Sequence, residues 1–126
     1  MALTFDYTEF WWLSGGFSYS FYGYTDNDYV RSIKLTLNDN GYTTNYITKY
    51  HDKLLSTAKT IADNAKKENT LYKRIKYIHD YLIKYIDYGK PRNDYAPYST
   101  YGALIDKKCV CDGYAKTFAY ISISRY

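Results

Sequence analysis

Two cysteines, Cys109 and Cys111, stand one residue apart in the run KKCVCDGYAKTF, residues 107–118. A thiol becomes a nucleophile where a helix start or a nearby cation favours its thiolate. Ala115, Phe118, Ala119 and Ile121 form an apolar helical face, which predicts a helix opening at Cys111, just after a Lys-rich loop. The dipole and unpaired N–H groups of that first turn would favour both a thiolate and an oxyanion beside it. Read from the residues alone, both cysteines also fit as small buried hydrophobes. A bridge between them would close a very tight, strained ring and is disfavoured on geometry.

The two histidines each precede an aspartate, in His51-Asp52 and His79-Asp80. Cys109, Cys111, His51 and His79 together would offer two sulfurs and two nitrogens, but the spacing matches no common zinc pattern. His51, His79 and Asp80 would suit a helical metal phosphohydrolase, and the strand-rich N-terminal third argues against that all-helical fold. No metal and no cofactor are expected.

These groups need elements to hold them. Three strand-like runs come first: Glu9–Ser14, Phe17–Tyr24 and Val30–Leu37. Gly15-Gly16 predicts a hairpin turn between the first two, and residues 25–28 a turn before the third. Phe17, Tyr19 and Phe21 alternate with polar neighbours, as do Ile33, Leu35 and Leu37, which predicts a meander with one buried face. After Gly41 the period changes. Ile47, His51, Leu54, Ala58, Ile61 and Ala65 recur at helical spacing, with Thr43 or Thr44 as cap. A second helix is expected from about Thr70, with Leu71, Ile75, Ile78, Leu82 and Ile86 on its stripe. A polar loop over 87–99 leads to a short helix through Tyr101–Ile105, capped by Ser99 or Thr100. Strands followed by helices make the fold class α+β.

A chain of 126 residues with 46% hydrophobic residues suits one compact core. A net charge of +4, with the basic residues scattered, does not argue for nucleic acid. No apolar run is long enough to span a bilayer, so no membrane is expected. The N-terminus lacks the basic start and apolar core of a signal peptide, and the compartment is left open. The 19 tyrosines fit either an aromatic platform for sugars or peptides, or a compositional bias that also raises Lys, Asn and Ile.

Residues 78–120 resemble the bacterial transglutaminase-like superfamily, which shares a papain-like cysteine core. The resemblance is carried by Ile78-His79-Asp80-Tyr81-Leu82, by Tyr101-Gly102-Ala103-Leu104, and by Val110-Cys111-Asp112-Gly113-Tyr114-Ala115 with Phe118. The run EFWWLSGGFSYSF also resembles the segment preceding this core in many members. The family's nucleophile falls on Cys111, where members form a thioester and pass the acyl group to an amine or to water. Cys109 falls on a variable loop position. His79 falls on a packing position, and Tyr98 and Tyr101 are candidates to border the acyl site.

The resemblance implies a β-meander over residues 1–38 and the helical half of a transglutaminase-like domain over 39–126, truncated before the core sheet. The family's catalytic His and Asp lie downstream of the cysteine, and no histidine follows Cys111 here. An acyltransferase or peptidase that is inactive or nearly so as an isolated chain is therefore expected, acting on a protein or peptide. Apolar surface left on the last helix and the meander would be covered by self-association. The alternative is a non-catalytic tyrosine-rich module that binds a protein or a cell-wall glycan through residues such as Tyr19 and Tyr22.

Overall fold

The computed structural model describes residues 7–23, 30–90 and 96–123. In chain order its elements are β1 (Leu13–Gly23), β2 (Val30–Asp39), α1 (Thr44–Lys66), α2 (Leu71–Tyr85) and β3 (Asp87–Tyr88). A 3-10 turn at Ala96–Tyr98, α3 (Thr100–Leu104), β4 (Lys108–Cys109) and α4 (Cys111–Ile123) complete it. The order of strands followed by helices is the α+β class expected from the sequence. The expected turn at 25–28, Pro91 and the last residues, 124–126, lie outside the described residues.

The antiparallel sheet has two strands where three runs were expected. Residues 7–12 turn instead of extending: Phe10 N donates to Tyr7 O (3.0 Å) and Leu13 N to Phe10 O (3.1 Å). The reason is packing. Trp11 leaves the sheet to stack on Tyr101 at 4.5 Å and is 6% exposed. Gly15-Gly16 is not the hairpin turn; it lies inside β1, where the register against β2 shifts between Leu13 and Phe17. Such a shift bends a strand and suits glycine. The expected buried face is also absent. Phe17, Tyr19 and Phe21 pair with Leu37, Leu35 and Ile33, and all six side chains are exposed.

The core is helical. Leu54, Ala58, Ile61 and Ala65 of α1 are buried, together with Ile78 and Leu82 of α2, Ile86 and Ile121 of α4. Ile47 and His51 begin the α1 stripe but are only half-buried. At the far end of the predicted α2 stripe, Leu71 is 72% exposed, so that helix packs through its second half. Thr43 and Thr70 are the caps of α1 and α2, their hydroxyls accepting from Tyr46 N and Lys73 N. An aromatic cluster of Trp11, Tyr42, Tyr46, Tyr50 and Tyr101 joins the start of α1 to α3. Of its tyrosines Tyr101 is buried, and Tyr42, Tyr46 and Tyr50 are half-buried. No helix among the described residues is long and apolar enough to cross a membrane.

Candidate active site

Three short elements set the position of α4. The 3-10 turn lies against its start, since Val110 N donates to Pro97 O (3.0 Å). Ser99 caps α3 by accepting from Gly102 N (3.2 Å), and its hydroxyl donates to Ala96 O (2.8 Å). β3 and β4 pair in parallel, Asp87 opposite Lys108 and Tyr88 opposite Cys109. Asp87 N donates to Lys107 O and Gly89 N to Cys109 O, both at 2.9 Å. The polar loop expected over 87–99 is thus partly ordered structure. Lys107, at φ 58°, makes the left-handed turn into β4.

Two glycines explain how closely these pieces meet. A Cβ on Gly102 would stand 2.0 Å from Ala96 O and 3.2 Å from Lys108 O. A Cβ on Gly113 would stand 2.6 Å from both Cys109 Cβ and Pro97 O. Both glycines are helical. Their use is close approach, not unusual φ.

The two thiols have opposite surroundings. Cys109 is fully buried in β4 beneath Gly113, and burial, then the charge of Cys111, pushes its thiol up to about 12. Cys111 is the first residue of α4 and is exposed. Both are free thiols. The first backbone bond of α4 runs from Tyr114 N to Val110 O (3.1 Å). By helix geometry the N–H groups of residues 111–113 precede the intrahelical ladder and face outward beside the sulfur. The helix start expected from the sequence is therefore the observed one. Residues 121–123 continue α4, because Ile121 belongs to the apolar helical face and is buried in the core.

Charge near Cys111 is balanced locally. Lys116 Nζ bonds Asp112 Oδ2 (2.8 Å) and Tyr98 O (3.0 Å), and its side chain is 13% exposed. Asp112 suits the positive end of α4, and Lys116 offsets its repulsion of a thiolate. The same lysine ties the 3-10 turn to α4, a function the sequence motif did not signal. An i,i+4 Asp–Lys pair flanking the cysteine was its only trace.

Tyr98 is 38% exposed on this turn, with Lys90 Nζ 5.7 Å from its ring centre. Tyr101 is 5% exposed; its ring stacks on Trp11, and its hydroxyl shares a 2.6 Å hydrogen bond with Tyr46. Burial raises the Tyr101 hydroxyl well above the ordinary tyrosine range, and the Tyr46 bond adds to that. The structure thus places Tyr98 beside α4 and Tyr101 inside the aromatic cluster. Tyr114 spans to the end of α2, its hydroxyl donating to Ile86 O.

The histidines are not brought to the sulfur. His79 is on the exposed side of α2, its Nδ1 3.1 Å from Asp80 Oδ1, and Asp80 also pairs with Lys76. Those bonds, Lys76 first, hold the Asp80 carboxyl below its usual range. His51 lies edge-on to Trp12 in α1. Among the described residues no group of three His, Cys, Asp or Glu is placed to hold a metal ion. Neither ligand set weighed from the sequence is assembled.

Comparison with known proteins adds one match. The family model of the transglutaminase-like superfamily matches residues 56–122, more than half of the chain. It takes in the second half of α1 and runs through α2, α3 and β4 into α4. A comparison with curated proteins found no match.

Proposed function

We propose, since the chain belongs to the transglutaminase-like superfamily, that Cys111 is the nucleophile of an acyl transfer from a protein or peptide. The superfamily is one of papain-like cysteine enzymes. The observation that carries the assignment is the contrast between the two thiols: Cys111 is open at the start of α4, and Cys109 is sealed beneath it. In the reaction the Cys111 sulfur attacks an amide carbonyl. The C–N bond breaks, the thiol proton leaves with the amine, and a thioester remains. An amine or water then attacks the thioester, the C–S bond breaks, and the sulfur recovers a proton. The outward N–H groups of the first turn of α4 suit the oxyanion of both steps. Tyr98 borders the acyl group from the 3-10 turn, and Tyr101 supports that wall from within.

Such a step needs a base beside the sulfur. The chain's two histidines are held in α1 and on the outer side of α2, with His79 paired to Asp80. The chain on its own therefore acylates slowly and turns over little. The test is mass spectrometry after exposure to an activated acyl ester. One acyl group on Cys111 is expected, retained in Cys109→Ala and lost in Cys111→Ala. Acylation at Cys109, or brisk cross-linking that survives Cys111→Ala, would refute the assignment.

The tyrosine-platform reading has weaker support. Tyr19 and Tyr22 are both exposed, but they pair with Leu35 and Ser32 and lie on opposite faces of the hairpin. They do not share one binding surface.

A further inference from the structure

The β1–β2 hairpin breaks the usual rule for an amphipathic sheet. Its polar face carries Ser18, Ser20, Tyr22, Ser32, Lys34 and Thr36; its apolar face carries Phe17, Tyr19, Phe21, Ile33, Leu35 and Leu37. Among the described residues no helix covers that second face, and its six side chains are 47% to 62% exposed. The two strands pack chiefly on each other. A two-stranded sheet alone in water is marginal at best; it needs a third strand or a packed face.

We propose that this face is a two-fold contact between copies of this chain, hairpin packed on hairpin. Area is the first argument. Six large side chains of about 200 Å² each, somewhat over half exposed, leave roughly 700 Å² per copy. That exceeds the largest apolar patch of an ordinary monomer, about 300–600 Å². It approaches the roughly 800 Å² that each partner of a stable complex buries. Shape is the second argument. The β1 row is aromatic, with Tyr19 and Phe21 edge-on at 5.2 Å, and the β2 row is aliphatic. A two-fold axis lying between the two faces and parallel to the strands lays the aromatic row of each copy over the aliphatic row of the other, so the surface complements itself. None of the six side chains is charged, so face-to-face packing strands no ion.

The contact is independent of the thiol chemistry, and Cys111→Ala should leave it intact. Sedimentation of the whole chain over a range of concentrations should show the 14.9 kDa mass doubling as concentration rises. Leu35→Lys, inside the face, should hold the mass at the single-chain value with the helical circular dichroism unchanged. Thr36→Lys adds the same charge one residue away on the polar face and should keep the doubling. Amide exchange of wild type at residues 17–21 and 33–37 should slow as concentration rises, a readout that does not depend on how the variants fold. A wild type monomeric throughout, exchange indifferent to concentration, or equal loss in both lysine variants would each overturn the proposal.

Discussion

Replacing Gly113 with alanine tests how Cys111 is held. In an ordinary helix the change adds about 0.5–1 kcal/mol of stability, because glycine loses more backbone freedom on folding. Here the new Cβ would meet Cys109 Cβ and Pro97 O at 2.6 Å and Cys109 Sγ at 3.0 Å. None of these is the tip of a flexible side chain. Pro97 O is backbone, tied by Val110 N, and Cys109 is fully buried in β4. Relief requires the start of α4 to move out by close to an ångström, taking Cys111 with it. Overpacking of this kind costs about 1–3 kcal/mol, which outweighs the propensity gain. A net loss of about 1 kcal/mol lowers a urea midpoint by roughly 0.5 M at the usual slope for a small domain. The assay is equilibrium urea unfolding followed by helical circular dichroism. Ala115→Gly is the reference: its site in the same helix is exposed, and it should lose about 1 kcal/mol from propensity alone. A Gly113→Ala midpoint equal to or above wild type would refute the packing argument and with it the placement of α4 against β4.

Three further outcomes are expected. Because burial raises the folded Cys109 thiol to about 12, against about 8.5 when unfolded, its stabilising contribution is full below about pH 8.5 and declines above it. The stability lead of wild type over Cys109→Ala should therefore shrink as the pH is raised, and a constant lead would contradict the burial. Tyr46→Phe strips the Tyr101 hydroxyl of its partner and should cost about 1–2 kcal/mol, whereas adding Tyr101→Phe should recover part of that loss; strictly additive losses in thermal unfolding would count against the pair. Thr117 is fully buried with no hydrogen-bond partner for its hydroxyl among the described residues, so Thr117→Val should raise the free energy of urea unfolding by about 1 kcal/mol or leave it unchanged, and a loss would contradict that burial.

The helices were legible because their signals are local. Apolar residues at helical spacing located α1 and α2, Thr43, Thr70 and Ser99 capped as their type suggests, and the start of α4 fell on Cys111. The hairpin was less legible. The alternation of Phe17–Phe21 and Ile33–Leu37 revealed strands correctly, but alternation cannot say whether anything covers the apolar side. Trp11 and Trp12 looked like strand residues by type, and only the distant Tyr101 ring explains why that segment turns. The residues alone allowed burial for both cysteines and could not say which, because the burial of Cys109 beside Tyr88 and Gly113 comes from segments distant in sequence.

The parallel pairing of β3 with β4 has a consequence for the order of folding. Helices α1 and α2 carry their own backbone ladders and threonine caps, and those local bonds can form early. The pairing instead ties the end of α2 to residues some twenty positions later, helped by the Tyr114 bond to Ile86 O. Closing a loop of that length costs about 2–3 kcal/mol of chain entropy before its contacts repay it. The ladder therefore forms late, after the helices offer it a surface. Until it does, β4 has no partner strand, Cys109 is unprotected, and α4 has no fixed starting point. In the unfolded chain neither thiol is buried. Their separation into one sealed sulfur and one presented sulfur is the product of the last joint to close.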